Sequence, residues 1–295
     1  MKNILVTGAN GQLGNEMRIL SESYPQYRYF FTDVAELDIC NEQAVMNYAM
    51  SNNIDIIVNC AAYTAVDKAE DNVELCKMLN QQAPGFLAKA AKARNGYLIQ
   101  VSTDYVFDGT AHIPYRENEE TCPNSVYGVT KLGGEQEAFK YCPETMVIRT
   151  AWLYSSFGNN FVKTMMRLGR ERDTLGVIFD QIGTPTYARD LAVAIFAAIN
   201  KGIVPEVYHF SNEGVCSWYD FTKAIHAIAG IHGCNVKPLH TEDYPTKATR
   251  PHYSVLDKTK IKETYGIEIP YWMDSLKECM EILKKKRFKR RVVRY

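Results

Sequence analysis

Residues Thr7 to Gly14, TGANGQLG, lie between a short apolar run, KNILV (2–6), and a helix-compatible segment, EMRILSES (16–23). This arrangement constrains the fold more than any other feature of the chain. An apolar run without alternation is what a strand buried on both faces requires. Glycine at Gly8 permits a tight strand-to-helix turn, Gly11 lets a pyrophosphate approach the backbone, and Gly14 lets the helix pack closely on the sheet. The bland alternative is a glycine-rich turn in an α/β protein that binds no nucleotide.

The alternation continues downstream. Strands are expected at about 2–7, 28–33, 55–60, 97–102 and 145–150, separated by helical stretches such as 72–95 and 126–141. Strand and helix alternating in this way imply an α/β fold, a doubly wound parallel sheet of Rossmann type with helices on both faces. Beyond Trp152 the pattern loosens. A helix near 160–172, a strand near 175–179, a helix near 187–200 returning to the first domain, the helix WYDFTKAIHAIAG (218–230) and a proline-containing loop, 238–251, follow. The expected division is a dinucleotide-binding domain of residues 1–150 plus about 186–208. A smaller mixed α/β substrate-binding lobe takes 151–185 plus 209–283, and a basic tail takes 284–295.

The second strand, RYFFT (28–32), ends at Asp33, about 20 residues past the glycines, where an acidic side chain accepts from adenosine ribose hydroxyls. Such a residue disfavours a 2′-phosphate, so the residues alone lean towards NADH. Asp33 closing a strand in a turn is the alternative. The segment LDI (37–39) offers a place for the adenine ring.

Tyr-x-x-x-Lys occurs twice, at Tyr127 with Lys131 and at Tyr219 with Lys223, and in a chain with 19 tyrosines the bare spacing means little. Context separates the two. Upstream of Tyr127 the strand YLIQV (97–101) runs into Ser102, Thr103 and Asp104, so a hydroxyl at a strand's carboxyl end and a helix presenting Tyr and Lys one turn apart meet at the cofactor crevice. Tyr219 follows no glycine turn and is expected to be a packing residue. Reducing a ketone places negative charge on oxygen, which calls for a proton donor within hydrogen-bond reach. Tyr127 fits that part, with the Lys131 ammonium lowering the phenol and holding the nicotinamide ribose, and Thr103 stabilising the oxyanion.

The stretches VSTDYVFDG (101–109), VYGVTKLGGE (126–135), RTAWLY (149–154), GNNFVKTM (158–165), DQIGTPT (180–186) and RPHYSVLD (250–257) together resemble the dTDP-4-dehydrorhamnose reductase family of the extended short-chain dehydrogenase/reductases. The series covers residues 1 to about 283. The resemblance implies NAD(P)H-dependent reduction of the C4 ketone of dTDP-4-dehydro-β-L-rhamnose, supplying an activated sugar for surface polysaccharide. It also implies residue roles: Gly8, Gly11, Gln12, Leu13 and Gly14 around the pyrophosphate, Asp33, Asp38 and Ile39 at the adenosine, and Ala62, Tyr63 and Thr64 on the nicotinamide side. Thr103, Tyr127 and Lys131 would be catalytic, and Thr103, Asp104 and Trp152 would contact the sugar. Without the resemblance Trp152 is equally a core or interface aromatic, and capping a helix or turn is the alternative for Asp104. Family members accept NADPH or NADH, so Asp33 argues preference rather than exclusion. Some bind magnesium through acidic residues at a dimer contact. Glu16 matches one such position, but Arg189 stands where another carboxylate belongs, so no metal ligand is assigned and a homodimer of that kind is open. A non-catalytic nucleotide-binding regulatory subunit and a nucleotide-sugar epimerase or dehydratase are the competing classes. Retention of Thr103, Tyr127 and Lys131 together weighs against the first. Asp104 without an adjacent glutamate weighs against a dehydratase.

Composition fits a cytoplasmic enzyme. The chain has 295 residues, 46% of them apolar, enough for a substantial core. No apolar run reaches membrane-spanning length, and the start of the chain passes directly into the first strand, which argues against a signal peptide. Eight cysteines with no Cys-x-x-Cys pair fit reduced thiols. The zero net charge hides an asymmetry: the last 12 residues carry eight basic side chains, leaving 26 basic against 34 acidic residues before them, a net −8. A solvated helix end is the default for this tail, with an acidic partner, a phospholipid surface or nucleic acid as alternatives. No nucleic-acid partner is assigned. His226 and His232 have no carboxylate at ligand spacing and are taken as core or surface histidines.

Overall fold

A computed structural model describes residues 1–292, with side chains to residue 285. The tail expected at 284–295 therefore lies, from residue 286 on, outside the described side chains.

Five strands, β1 (Asn3–Thr7), β2 (Arg28–Phe31), β3 (Ile56–Asn59), β4 (Tyr97–Thr103) and β5 (Thr145–Thr150), form with Val207–His209 one six-stranded sheet. From one edge the order is β2, β1, β3, β4, β5, Val207–His209, and every pairing is parallel. The chain moves outward from β1 to β2 and then returns to the other side of β1 with β3. That reversal opens a crevice beyond the carboxyl ends of β1 and β3. The apolar runs serve both faces: Ile4, Val6, Ile56, Val58 and Ile99 belong to one core with Leu191, Ile195 and Phe196 of the helix Ala188–Lys201. Leu5, Ile57 and Leu98 face the opposite core, with Leu87 and Ala88 of the helix Ala83–Ala93.

The stretch expected to be helical at 72–95 is divided. Val73–Lys77 is α-helical, Met78–Gln82 is a π-helical turn and Ala83–Ala93 is α-helical again. The wider turn aims Asn80, 1% exposed, at the site described below.

A second core gathers Val162 and Met165 from the helix Phe161–Glu171, Leu175 and Val177 from the strand Thr174–Ile178, Phe221 and Ile225 from the helix Trp218–Ala229, and Trp272 and Leu276. Tyr219 is half-buried against this cluster, the packing role expected of it. The helix Thr259–Tyr265, which the sequence assigns to the lobe, instead reaches the first core through Ile261 and Tyr265. Among the described residues no helix is long and apolar enough to cross a membrane. None of the eight cysteines is in a disulfide.

Candidate active site

The glycine turn closes against the end of β3. Gly8 has φ +61°, and a Cβ there would lie 2.7 Å from the Ala61 nitrogen, so only glycine fits this left-handed crossing. Gly11 caps the helix Gln12–Ser21 with no side chain on its first N–H groups, leaving the positive end of the helix facing the crevice. A groove of about 280 Å³ follows, lined among others by Gly8, Gly11, Asp33, Asp38, Ile39 and Ala62. This cradle fits a dinucleotide: backbone at the phosphate position, apolar walls, and a carboxylate beyond β2.

The predicted binding residues divide by how they reach this groove. The Asp33 carboxylate is fixed at its rim by two backbone donors, the Asn10 N–H at 3.0 Å and the Val34 N–H at 2.9 Å. Asp38 is exposed and accepts from the Cys40 N–H at 2.9 Å. Leu13 is 4% exposed and its side chain packs in the sheet core, so only its backbone can serve a phosphate. Gln12 turns towards the second lobe: its Oε1 accepts from Asn160 at 2.8 Å and its Nε2 donates to the Leu153 carbonyl at 3.4 Å.

Tyr63 is held by a residue the sequence did not single out. Asn80 Oδ1 accepts from the Tyr63 N–H at 2.8 Å and its Nδ2 donates to the Tyr63 carbonyl at 3.0 Å, fixing the Ala62–Thr64 segment. A second missed set ties the strand ends together. Thr7 donates to Asn59 Oδ1 at 2.7 Å, and Asn59 donates to Gln100 Oε1 at 2.8 Å. The available signal was an amide interrupting an apolar strand in IIVN and YLIQV, since a buried amide needs partners.

Thr103 ends β4, and Tyr127 and Lys131 lie one turn apart on the helix Val126–Tyr141. That helix begins at Ser125, whose hydroxyl accepts from the Gly128 N–H at 3.1 Å. The Thr103 hydroxyl donates to Asp104 Oδ1 at 2.9 Å, accepts from the Tyr105 N–H at 3.2 Å, and is the hydrogen-bonding neighbour of the Tyr127 phenol. The three residues thus converge beside the groove.

Their electrostatics differ from expectation. Desolvation pushes the Tyr127 phenol above its ordinary value, Thr103 offsets part of that, and the Asp104 charge adds to it. Lys131 does not lower the phenol here. It is 4% exposed, and its ammonium donates to the Val101 carbonyl at 2.6 Å. Burial pushes Lys131 itself down to about 8, against the opposing pull of Glu135. Asp104, 2% exposed, is raised by burial to about 6, with the Ser254 and Thr103 hydroxyls pulling the other way. A carboxyl poised there changes charge within the working range of an enzyme.

Trp152 sits at φ +48° at the edge of this region, its ring stacked on Trp218 with centroids 3.5 Å apart. An unfavourable backbone conformation in a bulky residue requires support from its surroundings, and the Trp218 face supplies it. The magnesium-type position has a different occupant set. Glu16 is 2% exposed and accepts from the Ser155 hydroxyl at 2.5 Å, while Arg189 pairs with Glu278 at 3.2 Å. Among the described residues no group of three or more His, Cys, Asp or Glu side chains is placed to hold a metal ion. His226 is buried, with Nε2 3.0 Å from the Met165 carbonyl oxygen.

Comparison with known proteins gives a consistent result. The family model described as RmlD substrate binding domain matches residues 1–285. A dTDP-4-dehydrorhamnose reductase of Aggregatibacter actinomycetemcomitans is 42% identical over 287 residues, covering 94% of this chain and 98% of that protein. The crystal structure of a dTDP-4-dehydrorhamnose reductase from Clostridium acetobutylicum superposes with a TM-score of 0.92 at 42% identity, covering 96% of this chain and 99% of the other. One from Bacillus anthracis, solved in complex with NADP, gives 0.90 at 38% identity, with 95% and 99% covered.

Proposed function

Since the chain belongs to the RmlD substrate binding domain family, we propose that it is a dTDP-4-dehydrorhamnose reductase, reducing the C4 ketone of dTDP-4-dehydro-β-L-rhamnose to dTDP-L-rhamnose with NADPH or NADH. The observation that carries this is the convergence of Thr103, Tyr127 and Lys131 at the carboxyl end of β4, beside a groove shaped for a dinucleotide.

When bound, the reduced nicotinamide supplies the hydride. The protein's own residues do the rest. Backbone N–H groups at Gly11 to Leu13 meet the pyrophosphate, Gly8 and Gly14 give it room, and Asp33, Asp38 and Ile39 meet the adenosine. Ala62, Tyr63 and Thr64, braced by Asn80, line the nicotinamide side. Tyr127 donates its phenolic proton to the C4 oxygen. A phenol held neutral by its surroundings is in the right state to donate, and the Thr103 hydroxyl beside it orients the carbonyl. Lys131, one helical turn from Tyr127, is placed to meet the nicotinamide ribose. Asp104 and Trp152 would contact the sugar.

The groove residues come from 1–150 and the Trp152 platform from beyond, which supports a nucleotide domain of 1–150 plus about 186–208, on which the helix Thr259–Tyr265 packs, and a substrate lobe of 151–185 plus the rest of 209–283. Cysteines without a disulfide throughout support a cytoplasmic site of action. Mixing the purified protein with enzymatically generated dTDP-4-dehydro-L-rhamnose and either reduced nicotinamide tests the proposal. Rapid loss of the cofactor's near-ultraviolet absorbance is expected. Cofactor binding with no oxidation of either form would overturn it.

A further inference from the structure

Tyr127, Lys131 and Glu135 follow one another at four-residue spacing, so they share one stripe of the helix Val126–Tyr141. The first two are accounted for by the reaction, and the third is not. Glu135 is 3% exposed and Arg149 is 4% exposed, and together they form a buried fork: Nε to Oε1 at 3.0 Å and Nη2 to Oε2 at 2.8 Å. The same Oε1 accepts from the Ser102 hydroxyl at 2.5 Å. Ser102 lies between Val101, whose carbonyl receives the Lys131 ammonium, and Thr103, and it is the β-sheet register partner of Arg149.

A buried ion pair is weak evidence for stability, because desolvation consumes most of the attraction. Its placement here gives it another use. The groups facing Lys131 are Glu135 on its own helix, the Cys76 thiol from Val73–Lys77 and the Cys60 thiol at the end of β3. The thiol of Cys60 is pushed up to about 12 and that of Cys76 is also raised, both by burial, so both are neutral. Glu135 is therefore the one carboxylate among them.

We propose that Glu135 is a positioning residue of the reduction. Clamped by Arg149 and Ser102 one turn behind Lys131, its carboxylate keeps Lys131 an ammonium directed at the Val101 carbonyl, and pins the strand end that carries Thr103. Only the kinetic part of the test below rests on the reductase function.

The full-length protein labelled with 13C at lysine Cε allows Lys131 to be titrated by NMR, its resonance assigned by its absence from Lys131→Arg. In Glu135→Gln the Lys131 midpoint should fall by roughly one unit through loss of the opposing charge, and in Glu135→Asp by less. The alkaline limb of kcat/KM should move by the same amount. Because Glu135→Gln strands Arg149 and can unfold the chain, Glu135→Gln combined with Arg149→Met, which removes both charges, provides a second measurement: Glu135 rather than Arg149 faces Lys131, so the midpoint should still fall, by less than in Glu135→Gln alone. A folded variant of either kind with an unmoved Lys131 midpoint overturns the proposal, whatever its melting temperature. Absence of turnover with a shifted midpoint would overturn the reductase function and leave the role of Glu135 standing.

Discussion

The Arg250 guanidinium forks onto the Asp67 carboxylate, Nη1 to Oδ1 at 3.0 Å and Nη2 to Oδ2 at 2.8 Å. Arg250 ends the loop 238–251, and Asp67 lies in the short helix Val66–Ala69 that follows the Ala62–Thr64 segment. The hydrogen bonds from Arg250 hold the Asp67 carboxyl below its ordinary range. A second pair, Lys247 with Asp71, reinforces the closure at 2.5 Å. Arg250 also lies near the Tyr105 phenol, and the Tyr105 ring meets Tyr127 edge-on with centroids 5.4 Å apart. The loop is thus strapped down beside Tyr127.

Arg250→Lys keeps the charge but loses the fork. The pair is 25% and 41% exposed, so its loss should cost at most about 1 kcal/mol of global stability. The local effect should be larger: amide hydrogen exchange in 244–251 should quicken while β1 and β4 stay protected, and KM for the sugar nucleotide should rise. Unchanged exchange in that loop would show that the strap does not hold it.

Tyr127→Phe removes the phenolic proton and little else. kcat/KM should fall by about 10²–10⁴-fold, the usual worth of a positioned general acid, with cofactor affinity nearly unchanged by fluorescence titration. An equal loss of cofactor affinity would assign Tyr127 to binding instead.

Asp104 carries a pH signature. Its carboxyl is raised from 3.8 to about 6 in the folded protein, so the folded state binds the proton more tightly than the unfolded one. Its contribution to stability is present below about pH 4 and declines as pH rises through 6. At neutral pH the charged form costs on the order of 3 kcal/mol. Asp104→Asn should therefore raise the urea midpoint at pH 7, and the gain should vanish near pH 4. A gain independent of pH would contradict the assignment.

Gly14→Ala tests the glycine turn. A Cβ there would lie 2.5 Å from both the Ala9 Cα and the Gly8 carbonyl oxygen, which are backbone and cannot step aside. Overpacking of this kind costs about 1–3 kcal/mol, and cofactor binding should weaken with it. Gly233→Ala, with nothing within 4 Å of the added carbon, is the control and should change stability by less than about 0.5 kcal/mol.

Much of this is legible in the sequence. Five runs appear as five parallel strands: β1, β3, β4 and β5 are buried on both faces, which leaves no room for alternation, and β2 is the half-buried edge. Tyr127 was separable from Tyr219 because a strand ending in Thr103 precedes only the former. The roles of Asn80, Asn59 and Gln100 were not legible, since an isolated amide in a sequence does not announce its partner. The charge balance was misjudged for the same reason. Tyr-x-x-x-Lys spacing places an ammonium near a phenol, but whether that ammonium or desolvation dominates depends on enclosure and on what else the ammonium meets.

By itself, the sequence determined the glycine turn, the strand–helix alternation and which hydroxyl, phenol and ammonium could share one crevice, because these follow from periodicity and backbone sterics over short stretches of chain. Only the tertiary structure decided that Glu135 faces Arg149, that Arg250 straps the loop to Asp67, and that Lys131 points at Val101. Those pairings join residues 14, 183 and 30 positions apart. Their energies depend on burial and orientation, which no local pattern encodes.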